Sequence, residues 1–203
     1  MYIRSFREGR ETRNSAMVRL IATAVDSWPT STKRAGKMED DILPPIEIIL
    51  TAGDKDTGFG KGGWAVTKPS DGREQGTWLL PDFGFISWPE AGAGYFEDFL
   101  EQAHEVEEEH PWSFKHDKMF WRGFPNFYAV RHDLMNRAST ETNPSRREWS
   151  DIHKTTFHGA GDPDMVPLVT LPDHCKHKFL IHTEGNSYSG CVSLIVQYCH
   201  SFF

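Results

Sequence analysis

The stretch 178-KFLIHTEGNSYSG-190 passes from an apolar, strand-like run through Glu184-Gly185 into a loop of small polar residues. A further apolar run with helical character, 189-SGCVSLIVQYC-199, follows it. A loop of Gly and Ser ahead of a helix leaves the first backbone N–H groups of that helix free and pointing together, an arrangement suited to an anion. The same loop also serves as an ordinary turn and helix cap. Strand, small-residue loop and helix in succession form the repeating unit of α/β proteins with parallel sheets.

The rest of the chain repeats that unit. Upstream, 118-KMFW reads as a strand running into Arg122-Gly123, and 128-YAVRHDLMNRA as the helix after it. A polar linker, 139-STETNPSRRE, leads to 149-WSDI and a proline-rich turn around 162-DPDMVP. Farther back, 46-IEIIL is a short apolar strand that ends in the charged, glycine-rich loop 53-GDKDTGFGKGG. The segment 77-TWLLPDFGFISW reads as extended and closes on a turn-rich linker, 87-SWPEAGAG. Within 95-YFEDFLEQAHEVEEEH, Phe96, Phe99, Leu100, Ala103 and Val106 keep helical spacing. Its Glu run is expected to be a solvated face, and Pro111 to stop the helix. Met17, Leu20, Ile21 and Ala24 predict an amphipathic helix near the N-terminus, and the charged stretch 33-KRAGKMEDD connects it to the first strand.

Parallel sheets bind ligands at the carboxyl ends of strands, where loops enter helices. Three loops qualify. They carry Asp54 and Asp56 after 46-IEIIL, Arg122 after 118-KMFW, and Glu184 to Ser189 after 178-KFLIH. A carboxylate, a cation and an anion-cradling loop are thus the candidate site.

Composition narrows the function classes. A net charge of −7 with no basic stripe excludes a general nucleic-acid binder. Seven Trp and fourteen Phe exclude a disordered chain, and 203 residues suffice for one domain or two small lobes. The cysteines Cys175, Cys191 and Cys199 are odd in number, match no paired metal spacing or dense disulfide framework, and leave the redox compartment unassigned. The opening 1-MYIRSFREGRETRNSAM lacks an apolar core of signal-peptide length, and no long apolar span occurs. His174, Cys175, His177 and His182 invite a metal reading, but 174-HCKH follows no usual structural pattern and no metal is expected. A Cys175–His nucleophile pair is disfavoured because sequence neighbours rarely have the required geometry.

The strings 43-LPPIEIILTAGD, 84-GFISWPEAG, 117-DKMFWRG, 131-RHDL, 149-WSDI and 178-KFLIHTEGNSYSG, in that order, resemble glycosyltransferase family 90. That family holds fungal capsule-associated glycosyltransferases and animal Rumi-type protein O-glucosyltransferases. The resemblance runs from about Ile42 to Gly190 and is to the fungal branch, where the tyrosine-containing Ser-Tyr-Ser-Gly form is usual. It implies a GT-B architecture of two Rossmann-like lobes, with residues 1–110 a partial acceptor-side lobe and 111–203 a partial donor-binding lobe. It also implies inverting transfer from a UDP-sugar to a hydroxyl of a glycan or glycoprotein acceptor, without an obligatory metal or other cofactor. On the family's motifs, Asp54 takes the position of the catalytic base. Arg122, Gly123, Arg131, Gly185, Ser187, Tyr188 and Ser189 take donor-binding positions. The resemblance further implies action in the endoplasmic reticulum or Golgi lumen as a type II membrane protein, although the sequence contains no anchor or targeting segment.

The chemistry suits these residue types. An aspartate, ionised at neutral pH, accepts the proton of an attacking hydroxyl, and such a base contributes roughly 10²–10⁴-fold in rate. Cations and helix N-terminal N–H groups stabilise the departing diphosphate. Each residue also has a plainer reading: Asp54 as a strand-closing polar residue, with Asp56 as its competitor, and Arg122 as the partner of a surface carboxylate such as Asp117. Two features depart from the family pattern. Cys191 stands where members carry an arginine facing the donor diphosphate, a charge-assisted contact worth about 1.5–3 kcal/mol. The sequence also ends at 199-CHSFF, where members continue, so a truncated product with an incomplete C-terminal lobe is expected. A non-catalytic nucleotide- or carbohydrate-binding remnant, and an unrelated α/β hydrolase using Asp54 or Asp56, are the alternatives.

Overall fold

The computed structural model describes residues 11–27, 31–34, 37–40, 47–53, 63–66, 77–125, 128–140, 148–155, 165–185, 195, 198 and 199. The chain is mixed α/β and divides into two compact units, Met1–Ile86 and Ser87–Phe203.

In the first unit, helix α1 (Glu11–Asp26) buries Ala16 and Met17 and packs on a 3-10 turn at Phe83–Phe85. The Arg13 guanidinium lies 4.8 Å from the centre of the Phe83 ring, an additional cation–π contact. Of the predicted apolar stripe only Met17 is fully buried; Leu20 and Ile21 are half-buried and Ala24 is exposed. Strands β1 (Ser31–Arg34) and β2 (Lys37–Asp40) form an antiparallel ladder within the stretch read as a charged connector. Strands β3 (Ile49–Thr51), β4 (Gly63–Ala65) and β5 (Trp78–Leu79) form a parallel sheet in that order, with Leu50 opposite Trp64 and Trp64 opposite Trp78.

The segment 77–88 is not one extended run. After β5, Pro81 has no N–H for a ladder, and the Asp82 carboxylate accepts the Gly84 N–H at 2.7 Å, turning the chain into the 3-10 turn.

The second unit opens with a turn closed by Trp88 N–H to Gly94 O at 2.8 Å. Gly92 there has φ +70°, a backbone conformation that favours glycine, and a Cβ on it would press on the Thr170 side chain at 3.2 Å. Helix α2 (Phe96–Glu109) follows, with Glu97 and Asp98 in its first turn, where carboxylates complement the helix dipole. It ends at His110, ahead of Pro111, as predicted.

A parallel sheet lies beyond it in the order β7 (Ser150–Lys154), β6 (His116–Gly123), β8 (His177–Leu180). Helix α3 (Ala129–Thr140) connects β6 to β7 and packs on β7. Side-chain alternation divides the two faces. Phe120 and Leu180, in register, join Phe99 and Ala103 of α2 and Leu171 and Cys175 of the 3-10 turn region in one core. Trp121 and Ile152, also in register and buried, belong to the other face. Gly123 makes room there for the indole, since a Cβ would come within 2.6 Å of the Trp121 ring.

Helix α2 lies within the second unit, Ser87–Phe203, where its residues share a core with that unit's sheet. The apolar stripe of α2 is core: Phe99 and Ala103 are buried, and Phe96, Leu100 and Val106 pack against them. The Glu run is exposed with one exception: Glu107 is nearly buried and ion-paired with Lys115, whose side chain is fully buried. Cys175 and Cys199 form a disulfide with Cα atoms 4.8 Å apart, tying the end of the chain to the 3-10 turn at Pro172–Lys176. Among the described residues no helix is long and apolar enough to cross a membrane.

Candidate functional site

The strand order of the second unit points to where its sheet would receive a ligand. From β6 the chain goes through α3 to β7 on one side, and β8 then lies on the other side of β6. Farther along the chain, Ile195 and Cys199 sit in the core that α2 shares, and Tyr198 packs against it. β7 and β8 thus flank β6 on opposite sides, and the gap between the carboxyl ends of β6 and β8 is a topological switch point.

Arg131, in the first turn of α3, spans that gap. Its Nε donates to Thr183 Oγ1 at 3.0 Å, after β8, and its Nη1 to Phe124 O at 2.8 Å, after β6. The guanidinium stacks 5.0 Å from the Tyr128 ring centre. Partial burial pulls its pKa below the usual guanidinium value, while Tyr128 and Glu184 act in the opposite direction; it remains a cation. Among the described residues Nη2 donates to no protein acceptor, and the side chain brings positive charge to the gap. Glu184 and Gly185 follow Thr183 on the same loop, Glu184 exposed and Gly185 half-buried.

Arg122 is placed differently. Its Nη2 donates to Asp151 Oδ1 at 2.7 Å, and its Nη1 to Asp151 O at 2.8 Å and Trp121 O at 3.1 Å. The guanidinium lies 4.3 Å from the Phe120 ring centre, and the side chain is only 10% exposed. It is folded back along the sheet onto β7, bound by a carboxylate that sequence reading did not select. Asp117, the partner considered from sequence, instead lies 3.6 Å from Lys178 Nζ. Gly123 contributes its small size, under the Trp121 ring, and a carbonyl that accepts the Thr155 N–H at 2.9 Å.

Asp151 Oδ1 also lies 3.3 Å from His153 Nε2, and the His153 side chain is half exposed. Arg122, Asp151 and His153 form one chain of contacts toward the carboxyl end of β7, and sequence reading named only the first. The signal was strand parity: Asp151 and His153 alternate with buried Ile152, and the Arg122↔His153 register puts them on the Arg122 face.

The histidines near Cys175 are packed into the unit. His177 stacks on Phe120 at 3.8 Å between ring centres, with His116 at 5.0 Å. Burial and the neighbouring His116 push its pKa down to about 4. Burial also lowers the pKa of His174, against the opposing effect of its Nδ1 contact with Thr170 O at 2.8 Å. The Cys175 and Cys199 sulfurs lie close to a Glu107 oxygen, but both belong to the disulfide, so Cys175 offers no thiolate to a metal or a substrate while that bond is intact.

Asp54, Asp56, Ser187, Tyr188, Ser189 and Cys191 lie outside the described residues. The structure therefore brings Arg131 to Thr183, two residues before Gly185, and to Phe124, next to Gly123, and sets Arg122 apart as a partner of Asp151.

No curated protein matches the chain. The family model for glycosyl transferase family 90 matches residues 71–202, which takes in α2, the whole β7-β6-β8 sheet and the Arg131 bridge but not the segment carrying Asp54. With well over half of its length matched, the chain belongs to glycosyl transferase family 90.

Proposed function

We propose that this chain takes part in inverting transfer of a sugar from a UDP-sugar to a hydroxyl of a glycan or glycoprotein acceptor. The second unit would be the donor-binding half of a GT-B arrangement and the first unit the acceptor side. The observation that carries the reading is the Arg131 bridge: a cation that ties Thr183, after β8, to Phe124, after β6, at the switch point between the two strands. A nucleotide diphosphate fits that position because the guanidinium and the backbone N–H groups of a small-residue loop both favour negative charge. Gly185, Ser187, Tyr188 and Ser189 would line the donor side, with Gly123 beneath. Asp54 would accept the acceptor proton, with no metal or other cofactor in the scheme. The Cys175–Cys199 disulfide supports action in an oxidising compartment, the lumen of the endoplasmic reticulum or Golgi.

A second reading rests on Cys191, which stands where the resemblance expects an arginine. Loss of that charge favours a nucleotide-binding protein with little or no transfer. Calorimetric titration with UDP, followed by a hydrolysis and transfer assay with UDP-glucose, UDP-xylose and other UDP-sugars, separates the readings. Transfer abolished by Asp54→Asn, with UDP binding retained, supports the enzyme. Binding without turnover supports the remnant. Absence of UDP binding at millimolar concentration overturns both.

A further inference from the structure

The Arg122–Asp151–His153 chain has the form of a device for presenting an imidazole. Arg122 is fixed by three hydrogen bonds and by the Phe120 ring, so its guanidinium is poorly placed to leave for a ligand. It fixes Asp151 instead, and Asp151 Oδ1 faces His153 Nε2 at 3.3 Å. A carboxylate on one ring nitrogen sets the orientation of the imidazole and leaves the other nitrogen to face outward. His153 is the exposed member, at 51%, and it stands in register with Arg122 near the carboxyl end of the strands, the edge where parallel sheets receive ligands.

We propose that His153, oriented by Asp151 and Arg122, is a proton-dependent contact for the diphosphate of the sugar nucleotide, so that donor affinity rises on acidification. The proposal rests on the donor-site reading above. It assigns Arg122 and Asp151 the part of positioning residues, and it supplies through β7 a cation that Cys191 does not.

An imidazole changes its charge between about pH 5 and 8, so a contact of this kind strengthens as the solution becomes more acid. The charged and titratable groups around it are Asp151 on its own strand and Arg122 on β6. His174 and His177, from the 3-10 turn and β8, interact electrostatically with Arg122, and His177 with Asp151 as well. Helix α3, packed on β7, carries Arg131, His132, Asp133 and Arg137. Burial pushes the pKa of His174 and of His177 down, and of the four histidines His153 and His132 are the exposed ones.

The test is titration of the full chain with UDP-glucose between pH 5.5 and 8.5, a range in which its doubly esterified diphosphate keeps a constant charge. Wild-type affinity is expected to be about tenfold greater at the acid end, the lower end of the charge-assisted range because His153 is half exposed. His153→Gln should abolish that gain, matching wild type at pH 8.5 and binding about tenfold more weakly at pH 5.5. His153→Lys, cationic throughout, should bind tightly at every pH. His132→Gln should retain the wild-type slope. If UDP-glucose binds and His153→Gln follows the wild-type curve, the inference is wrong while the donor site stands. If wild type binds no UDP-glucose at millimolar concentration, both fail.

Discussion

The Arg131 guanidinium and the Thr183 hydroxyl, 52 residues apart in the chain, meet at 3.0 Å across the gap between β6 and β8. One side chain thereby fixes the separation of two loops and supplies charge to the space between them. Arg131→Ala should weaken UDP binding roughly 10- to 100-fold, the range for loss of a charge-assisted contact. Thr183→Val removes the anchor but keeps the cation, so it should weaken binding only a few-fold. Calorimetry on the two variants checks the order; equal effects would mean that Arg131 acts only as a brace.

The Cys175–Cys199 disulfide joins the 3-10 turn before β8 to the far end of the chain, closing a loop over a separation of 24 residues. By the chain-entropy estimate a loop of that length contributes about 3.5 kcal/mol. Cys175→Ser and Cys199→Ser should each lower the urea midpoint by the equivalent of about 3 kcal/mol. Dithiothreitol should lower wild type to the same level and leave the variants unchanged.

Much of the second unit was legible because its signals are periodic. The α2 stripe, the runs at β6 and β8 and the α/β class all follow from apolar spacing. Glu107 was legible too, though it was read with its neighbours as solvated: it falls four residues after Ala103, on the helix face that enters the core. The first unit was harder. Strand β4 is three residues, Gly63–Ala65, at the edge of a glycine-rich stretch, and β1–β2 is a ladder of mostly charged residues, so neither shows an apolar period. The Arg122–Asp151 pair depends on strand register, which a single sequence does not encode locally. The disulfide was concealed by the odd cysteine count and the distance between partners.

Lys115 and Glu107 form an ion pair whose side chains are 0% and 9% exposed, next to the disulfide. Removing one partner of a buried pair leaves an uncompensated charge, which costs about 3–5 kcal/mol. Lys115→Met and Glu107→Leu should each destabilise the protein on that scale. The double variant should recover most of the loss, because two apolar groups of similar volume need no partner. Chemical denaturation of the four proteins in a double-mutant cycle measures the coupling; additive losses would show that the pair contributes through packing alone.

His177 gives stability a pH dependence of definite sign. Stacked on Phe120 and 7% exposed, it is held neutral in the folded state down to about pH 4, whereas an unfolded imidazole takes up a proton near pH 6.5. Above about pH 6.5 both states are neutral and the folded protein has its full stability. As pH falls from there toward 4 the unfolded chain binds more protons, so stability declines; below the folded pKa the decline from this group stops. His174, whose pKa is also lowered by burial, acts in the same direction. His177→Phe keeps a ring against Phe120 and removes the titration, so its unfolding free energy should fall less steeply than that of wild type between pH 6.5 and 4. Urea unfolding at half-unit intervals measures both slopes, and parallel curves would mean that acid sensitivity arises elsewhere in the fold.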